Sequence, residues 1–373
     1  MTHAPTVAVL LPDLRSGGGE RLHVTLATEW LRRGVGVEFV LRQARGELLP
    51  LLPAGVTVVD LGARRVRDAL SPLVAYLKHA RPQALLAAMW PLTVLAPLAA
   101  RMAGFRGRVV VSEHSPLSIA YGRRGRLHRL ALRGSQRLLY PLADARVAVS
   151  AGVADDLARL SGLPRTRFQV IHNPAATGRA TCSADTQDPF GDSPRPRVLT
   201  VGRMKSVKRH DLLLDAFALL PAERRGTLCI VGDGDGEERA QLKARVERLG
   251  LGGQVLLPGF VADPSPYYAA ADLFVLSSDY EGFGNVLVEA MEFGLPVVST
   301  DCVAGPREVL DNGRLGTLVV PGDAQALACG MKAAMGAPVD RAALRARASE
   351  FGAGVIAERY LDSILPGWRR DDV

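Results

Sequence analysis

Short apolar runs alternate with segments of helical spacing along most of the chain. The run Val7–Leu11 has the length of a buried strand, and apolar residues then recur with a helical period from Leu22 to Leu31. The same alternation continues through the apolar runs at 35–41, 56–59, 84–89, 109–111, 145–149 and 170–171. Strands and helices in alternation predict a parallel sheet with helices on both faces, which is the doubly wound α/β class.

A change of composition divides this pattern in two. Residues 173–197 are rich in Pro, Gly, Ser, Thr and Asp, and the alternation restarts after them, at 198–201, 228–231, 255–257, 271–277, 296–299 and 317–319. We therefore predict a first Rossmann-like domain over 1–175, a linker over 176–197, a second Rossmann-like domain over 198–345, and a helical tail over 346–373 that can return to the first domain. Two such domains are expected to face a central cleft, with ligands at the carboxyl ends of the strands.

The stretch from Glu281 to Met291 has a distinctive pattern. Glu281 and Glu289 stand eight residues apart around a Gly-Phe-Gly-Asn turn, and a helical pattern then runs to Gly294. A helix start after a strand and a tight loop offers unpaired N–H groups to a phosphate. Glu281 would face this anion site, and Glu289 would lie in the helix. The alternative, a solvated loop glutamate and a glutamate placed by the helix dipole, is equally compatible with these residues.

Two further loops that follow strands have the composition of anion sites. Successive glycines at Gly17–Gly19 let the backbone approach a ligand closely, although a plain tight turn is the alternative. The segment Gly202–His210 holds four cations in seven positions. Arg can bind two phosphate oxygens in a fork and Lys supplies a point charge, so this segment predicts a diphosphate site. Its alternative is a solvated surface run.

Two other patterns have competing interpretations. His114 follows the apolar run at 109–111, where a histidine is more often packed or hydrogen-bonded than catalytic. Asp233 and Asp235 form an Asp-x-Asp pattern that can hold a metal-bound diphosphate, but a Gly-rich turn after a strand explains them as well. We favour the turn, and we predict no metal site.

The charge is distributed unevenly along the chain. Residues 1–180 contain 25 Lys and Arg against 11 Asp and Glu, a net +14, whereas the remainder carries −6 of the total of +8. The basic stretches 64–81 and 121–137 lie in this half, and the second interleaves arginines with leucines. A basic first half of this kind is typical of a protein that binds an anionic membrane surface. The alternative is that the second stretch is a solvated basic helix. Nucleic acid is not an expected partner, because aromatic residues are few and no nucleic-acid motif is present.

The longest apolar run and the cysteines bear on the compartment. Residues 84–100 are apolar, but Pro91 and Pro97 interrupt them, so a buried strand followed by a buried helix is the simpler prediction. No signal peptide is expected from the N-terminal sequence. Cys182, Cys229, Cys302 and Cys329 show no close pairing, which favours a reducing compartment. We expect a cytoplasmic protein that can attach peripherally to the inner face of the membrane.

The order of these motifs resembles that of the retaining glycosyltransferases of family GT4, which have the GT-B fold. The resemblance runs nearly from end to end. It rests on Gly17-Gly18-x-Glu20-Arg21, Ser112-Glu113-His114, Val149-Ser150, Val170-Ile171-His172-Asn173-Pro174, Gly202-Arg203, Lys208-Arg209-His210-Asp211-Leu212-Leu213, Val231-Gly232-Asp233-Gly234, Glu281-x7-Glu289 and Gly305-Pro306-Arg307-Glu308.

The resemblance implies a role for each candidate residue. Arg203 and Lys208 would hold the donor diphosphate, and Glu281 would face the transferred sugar. Glu289 would bind the ribose hydroxyls, and His114 would approach the sugar or the acceptor. The remaining donor-binding positions are Gly17 and Gly18 beside the phosphates and the amides of Gly284, Asn285, Val286 and Leu287. Such enzymes use the nucleotide-diphosphate sugar as co-substrate and need no cofactor or metal.

The substrates and two competing functions stay open at this point. A UDP-linked hexose or N-acetylhexosamine is the favoured donor, ahead of GDP-mannose, and a saccharide or lipid-linked saccharide is the expected acceptor. The resemblance thus implies synthesis of a cell-surface polysaccharide or glycolipid with retained anomeric configuration. A nucleotide-sugar 2-epimerase shares the architecture but transfers nothing. A non-catalytic nucleotide-sugar-binding membrane scaffold is the second alternative.

Overall fold

The structure is a computed structural model that describes residues 4–15, 17–180 and 188–371. The chain forms two compact units. The second covers Ala175–Gly352, and the first covers the described residues before and after it. Cys182 and part of the predicted linker, 181–187, lie outside the described residues. Cys229, Cys302 and Cys329 carry free thiols.

The first unit contains a seven-stranded parallel sheet with the order β3-β2-β1-β4-β5-β6-β7. Its strands are β1 (Thr6–Leu11), β2 (Gly36–Leu41), β3 (Thr57–Asp60), β4 (Ala84–Ala88), β5 (Arg108–Glu113), β6 (Ala145–Ala148) and β7 (Gln169–Val170). The helices before the second unit are α1 (Gly18–Arg32), α2 (Leu70–Ala80), α3 (Leu92–Ala103), α4 (Leu117–Ala120), α5 (Arg126–Leu139) and α6 (Ala151–Ser161).

The second unit contains a six-stranded parallel sheet with the order β10-β9-β8-β11-β12-β13. Its strands are β8 (Arg197–Val201), β9 (Thr227–Val231), β10 (Val255–Gly259), β11 (Leu273–Leu276), β12 (Val297–Thr300) and β13 (Thr317–Val319). Its helices are α7 (His210–Ala218), α8 (Gly236–Arg248), α9 (Ser265–Ala270), α10 (Asn285–Glu292), α11 (Pro306–Val309), α12 (Ala324–Gly336) and α13 (Arg341–Ser349). The helix α14 (Ala353–Ile364) then belongs to the first unit.

Apolar residues cover both faces of the first sheet. Along β1, Val7 and Val9 belong to a core that includes Trp30 of α1, whereas Ala8 and Leu10 belong to a second core. Successive strand side chains point to opposite faces, so a continuous apolar run is required where helices cover both. The predicted doubly wound α/β class is confirmed for both units.

The predicted tail is two helices rather than one, and they lie in different units. Helix α13 belongs to the second unit, and the division follows Gly352 rather than the predicted residue 345. Phe351 accounts for this difference, because its ring packs edge-on against Phe283 of the second unit with 5.2 Å between centroids. Helix α14 contributes Ile356 and Tyr360 to the core that contains β1 and α1.

The long apolar run at 84–100 forms the buried strand β4 and most of the buried helix α3, as predicted. The chain turns between them at Met89–Pro91, where Met89 has a φ of 67°. In the described part of the chain, no helix is long and apolar enough to cross a membrane.

Candidate active site

The loops of the second unit meet where its strand order reverses. From β8 the chain moves to β9 and β10 on one side, and it later returns to β11 on the other side of β8. The connections that follow β8 and β11 therefore lead to opposite sides of the sheet, and the carboxyl ends of such a strand pair are the usual ligand position in sheets of this class. These two loops, 202–209 and 277–284, contain the predicted diphosphate cluster and the predicted Glu281 turn.

Lys208 and Glu281 are in direct contact, although 73 residues separate them in the sequence. The Lys208 Nζ lies 2.7 Å from Glu281 Oε1, and the Ser278 hydroxyl donates to the same oxygen at 2.6 Å. The Ser277 hydroxyl donates to the Lys208 carbonyl at 2.8 Å, which fixes the backbone of one loop against the other. The side chains of Lys208 and Glu281 are 24% and 11% exposed. Glu281 is thus held in a partly buried ion pair, unlike a solvated loop glutamate.

The helix after this loop, α10, begins at Asn285, within the predicted Gly-Phe-Gly-Asn turn. Gly284 caps it with φ 91° and ψ 54°, a left-handed conformation that favours glycine. The helix is followed by Gly294 at φ 71°, as expected for a glycine stop. Of the four predicted amides, that of Leu287 already donates to the Gly284 carbonyl at 2.9 Å. We therefore withdraw the Leu287 amide from the predicted phosphate-binding groups.

Glu289 lies on α10 and is oriented by a buried tyrosine. The Tyr268 hydroxyl donates to Glu289 Oε2 at 2.8 Å. Burial, together with the nearby Glu289 carboxylate, raises the pKa of Tyr268 well above its usual value. The tyrosine is therefore a permanent donor that fixes the carboxylate. Sequence reasoning missed Tyr268, which is 21 residues before Glu289, and also Ser278, although Ser278 is only three residues before Glu281.

The predicted cationic cluster is only partly available to a ligand. The Arg209 guanidinium donates to Asp211 and to Asp279, each at 3.0 Å, so this arginine holds the loop together. His210 is buried, and desolvation lowers its pKa to about 4, so it carries no charge at neutral pH. Arg203 is exposed and Lys208 contacts Glu281, which leaves these two as the candidate phosphate ligands, and Lys205 is a further exposed lysine of the same loop.

The two aspartates after β9 have structural partners. The Asp235 side chain caps α8 and accepts a hydrogen bond from the Glu238 amide at 2.9 Å. Asp233 accepts one from the Gly234 amide at 3.0 Å. These contacts agree with the predicted Gly-rich turn. Within the ranges 4–15, 17–180 and 188–371, no three His, Cys, Asp or Glu side chains form a group that could hold a metal ion.

The first unit has an equivalent point between β1 and β4, where its strand order reverses. Helix α1 begins at Gly18, directly after Gly17, so the loop predicted to extend through Gly19 is shorter. A Cβ added at Gly19 would lie 3.8 Å from His114 Cγ and 3.4 Å from the Met89 sulfur. The glycine-rich helix start and His114, which are 95 positions apart in the sequence, are therefore neighbours in this unit.

His114 is a neutral imidazole at physiological pH. Burial is the main cause and the neighbouring His23 ring the second, and together they lower the pKa of His114 to about 3. Its Nε2 lies 3.3 Å from the Ser112 hydroxyl, and the His23 ring centroid is 5.3 Å away in an edge-on arrangement. The Nδ1 atom has no hydrogen-bond partner among the described residues. In this state, His114 can donate or accept a hydrogen bond but cannot supply a positive charge.

The residue before His114 is a buried carboxyl group that holds the surrounding loops. Glu113 accepts hydrogen bonds from the Thr93 and Tyr140 hydroxyls and from the Trp90 amide at the start of α3. Burial raises the pKa of Glu113 to about 7, against the opposing effect of these three donors. Glu113 thus ties the loop after β4 to the end of β5, where His114 begins.

Two family models match nearly the whole chain. The model described as Glycosyltransferase Family 4 matches residues 16–179, and the one described as Glycosyl transferases group 1 matches residues 185–351. The chain belongs to glycosyltransferase family 4. The boundary between the two matches falls close to the division between the two units of this family 4 protein.

Curated relatives of this family 4 protein include proteins of bacterial surface-saccharide synthesis. It is 29% identical over 329 residues to the lipopolysaccharide core biosynthesis glycosyltransferase LpsE of Rhizobium meliloti, covering 84% of each chain. It is 30% identical over 239 residues to the N-acetylgalactosamine-N,N'-diacetylbacillosaminyl-diphospho-undecaprenol 4-alpha-N-acetylgalactosaminyltransferase of Campylobacter jejuni. That match covers 63% of this chain and 62% of the Campylobacter protein.

Solved structures confirm the GT-B fold of the family 4 protein. HepE of Anabaena, solved in complex with UDP and glucose, matches with a TM-score of 0.79 at 23% identity, covering 96% of this chain and 99% of that one. WaaG, a glycosyltransferase involved in lipopolysaccharide biosynthesis, matches with a TM-score of 0.70 at 19% identity, covering 97% and 100%. At these identities the likeness concerns the fold.

Proposed function

We propose that the protein transfers a hexosyl or N-acetylhexosaminyl group from a nucleotide-diphosphate sugar, with UDP as the favoured nucleotide, to a saccharide or lipid-linked saccharide acceptor. The transfer retains the anomeric configuration and serves the synthesis of a cell-surface polysaccharide or glycolipid. The main observation that supports this proposal is the contact between Lys208 and Glu281, at the point where the strand order of the second sheet reverses. The named activities of the Rhizobium and Campylobacter relatives support the acceptor class, and the UDP complex of HepE supports the nucleotide.

In this proposal the chain stabilises charge on both sides of the breaking bond. Negative charge develops on the leaving diphosphate, where Lys208, Arg203 and the start of α10 supply positive potential. Positive charge develops on the sugar, where the Glu281 carboxylate lies close to the anomeric carbon. Before the donor binds, Lys208 and Glu281 neutralise each other, so neither charge is left unpaired in its partly buried position.

Retention follows here from a displacement in which the acceptor attacks the face that the diphosphate leaves. The bond between the anomeric carbon and the leaving phosphate oxygen breaks as the bond to the acceptor oxygen forms, and that phosphate oxygen takes the proton of the acceptor hydroxyl. Because the acceptor replaces the diphosphate directly, no covalent glycosyl-enzyme is formed. His114 of the first unit contacts the sugar or the acceptor through a hydrogen bond. Cationic side chains hold the diphosphate, and we propose that the reaction needs no metal ion.

Glu289 is proposed to bind the ribose hydroxyls, and its removal tests the donor site. We expect Glu289→Ala to weaken UDP binding by about tenfold or more, since a hydrogen bond to a charged group contributes about 1.5–3 kcal/mol. Isothermal titration with UDP measures this change. Glu292→Ala removes a carboxylate from the same helix, where Glu292 instead accepts hydrogen bonds from the Thr177 amide and hydroxyl. Equal affinities in the two variants would show that Glu289 does not bind the nucleotide.

A direct assay separates the proposed activity from its two alternatives. A thermal-shift screen of nucleotides and nucleotide sugars first identifies the donor. Incubation of the protein with that donor and no acceptor then distinguishes the three functions by product. Slow hydrolysis with an unchanged sugar supports transfer, epimerisation at C2 identifies an epimerase, and tight binding without any turnover identifies a scaffold.

We further propose that α5 attaches the protein to an anionic membrane. Leu127, Leu130 and Leu138 are 84%, 65% and 73% exposed, and their spacing places them on one stripe of the helix. The buried residues Leu132 and Gln136 lie roughly half a turn away, so the leucine stripe faces away from the core. Four exposed arginines flank this stripe along the same helix: Arg126, Arg129, Arg133 and Arg137. An exposed apolar stripe beside a row of cations matches the chemistry of an anionic bilayer surface.

Vesicle pelleting tests this attachment. At low salt we expect the protein to pellet with vesicles that contain phosphatidylglycerol and to stay in solution with neutral phosphatidylcholine vesicles. Replacing all three exposed leucines of α5 by serine should reduce pelleting by about tenfold or more, because each inserted leucine contributes more than about 1 kcal/mol. Leu219→Ser removes a leucine that is 52% exposed in the second unit and serves as the control. Absence of binding at low salt would refute membrane attachment.

A further inference from the structure

Helix α14 places one tyrosine hydroxyl beside the His114 site of the first unit. Tyr360 is fully buried, and its hydroxyl oxygen lies 3.1 Å from Ser112 Oγ. The same Ser112 oxygen lies 3.3 Å from His114 Nε2. The three groups form a chain of hydrogen bonds that runs from α14 to the end of β5. Nothing in the local sequence around His114 indicates this contact, because Tyr360 follows 246 residues later.

The direction of these hydrogen bonds follows from the strength of the donors and acceptors. Each possible arrangement leaves one proton without a partner among the described residues. This is the Nδ1–H of His114 if Tyr360 donates to Ser112 and Ser112 donates to His114 Nε2, the Tyr360 proton if the direction is reversed, and the Ser112 proton if Ser112 accepts from both neighbours. Only the first arrangement joins the most acidic hydroxyl, the phenol of Tyr360, to the most basic acceptor, the imidazole nitrogen. The first arrangement is therefore favoured.

This direction determines the form of the imidazole. When Nε2 accepts a proton from Ser112, the neutral ring must carry its own proton on Nδ1. The neighbouring His23 has the complementary form, because its Nδ1 lies 2.7 Å from the Gly19 carbonyl and must donate to it. His23 Nε2 is therefore a lone pair, while His114 Nδ1 is an N–H, and both atoms lack a partner among the described residues.

We propose that Tyr360 is a positioning residue which, through Ser112, holds His114 as the neutral Nδ1–H tautomer. His114 then contacts its substrate as a hydrogen-bond donor and not as a base. This role rests on the proposed function for His114, whereas the tautomer itself is a property of the protein without substrate. The inference makes α14, the last α-helix of the described residues, contribute to the candidate site of the first unit.

The tautomer is measured directly by NMR on the full-length protein labelled with ¹⁵N-histidine. Protonated and unprotonated ring nitrogens have well-separated ¹⁵N shifts, and the variant His114→Asn identifies the His114 signals by their loss. At pH 7 we expect the protonated nitrogen of His114 to be Nδ1. In Tyr360→Phe and in Ser112→Ala, the constraint on the ring is lost, and signals of the Nε2–H tautomer should appear.

Turnover provides the second measurement. We expect Tyr360→Phe to lower kcat by about tenfold with both substrates saturating, the effect of one hydrogen bond, with little change in the KM for the donor. Tyr76→Phe is the matched control, since Tyr76 lies in the same unit and its hydroxyl donates to Glu38. That variant should leave the His114 tautomer and kcat unchanged.

The outcomes separate this inference from the proposed function. An Nε2–H tautomer in the wild-type protein, or an Nδ1–H tautomer that survives both Tyr360→Phe and Ser112→Ala, overturns the inference. If His114→Asn retains full turnover, the catalytic role of His114 is wrong, and so is the effect of Tyr360 on kcat. The inference stands if Tyr360→Phe both changes the His114 tautomer and lowers kcat, whereas Tyr76→Phe does neither.

Discussion

Lys208→Ala lowers the turnover number by about a hundredfold or more with the donor saturating. This is the scale observed when one donor that stabilises a developing oxyanion is removed. The Lys208 ammonium lies between the loops after β8 and β11 and contacts Glu281 at 2.7 Å, so its removal affects two groups. The leaving diphosphate loses a cation, and the Glu281 carboxylate loses its ionic partner. The loss should appear in kcat, because the charge that Lys208 stabilises develops during the reaction.

The same assay on variants of Arg203 and Lys205 tests whether the loss of turnover is specific to the proposed diphosphate ligands. Arg203→Ala should also lose about a hundredfold, because Arg203 is exposed on the same loop as Lys208 and a guanidinium suits a diphosphate. Lys205→Ala removes an exposed lysine from the same loop and should stay within about a few-fold of the wild type, the usual effect of losing a surface charge. Near-normal turnover in Lys208→Ala or in Arg203→Ala would disprove the role assigned to that residue.

Trp30→Ala destabilises the first unit by about 3–5 kcal/mol, the range found for a large aromatic residue removed from a core. Trp30 is fully buried, and its indole N–H donates to the Ala357 carbonyl of α14 at 3.0 Å. Its ring also lies against Tyr360, with 6.5 Å between centroids. The substitution therefore leaves a cavity and an unpaired carbonyl between α1 and α14. Urea unfolding followed by far-ultraviolet circular dichroism measures the change as an earlier midpoint.

A second tryptophan provides the control for this stability measurement. Trp368 is only partly buried, and its indole N–H donates to the exposed Asp362 at 2.9 Å. Trp368→Ala should therefore cost clearly less than Trp30→Ala, about 1–2 kcal/mol, because only part of its surface is removed from water. If Trp30→Ala costs no more than Trp368→Ala, the packing of α1 on α14 contributes little to stability.

The sheets and the main loops could be predicted because their signals are local. A buried parallel strand is a continuous apolar run, and the Gly-Phe-Gly-Asn turn marks the change from β11 to α10 within a few residues. Strand alternation also places the Lys208 and Glu281 loops at the same edge of the sheet, although it does not show that β8 and β11 are neighbours. The start of α1 was less predictable. Three successive glycines indicate a loop, because glycine has a low helix propensity. The N–H groups of the first helical turn have no intrahelical partners, however, so glycines can occupy that turn.

Most partners of the candidate residues could not be predicted, because they are distant in sequence. Tyr268 orients Glu289 from another helix, and Tyr360 reaches Ser112 from the end of the chain. Arg209 counts as a free cation in the sequence, whereas Asp279, which is 70 residues away, occupies its guanidinium in the structure. Such contacts depend on how elements pack, and that information is absent from a local pattern.

The position of α14 affects how the protein folds during synthesis. The ribosome completes β1, α1 and the rest of the first sheet well before it translates residues 353–364, and the whole second unit is made in between. Until then, Trp30 and its apolar neighbours on α1 have no helix to cover them. Domains usually fold in order of synthesis, but here the first unit must wait for the last helix with an apolar surface exposed. A nascent chain stalled before Ala353 would therefore be a natural client for chaperones that bind exposed apolar segments.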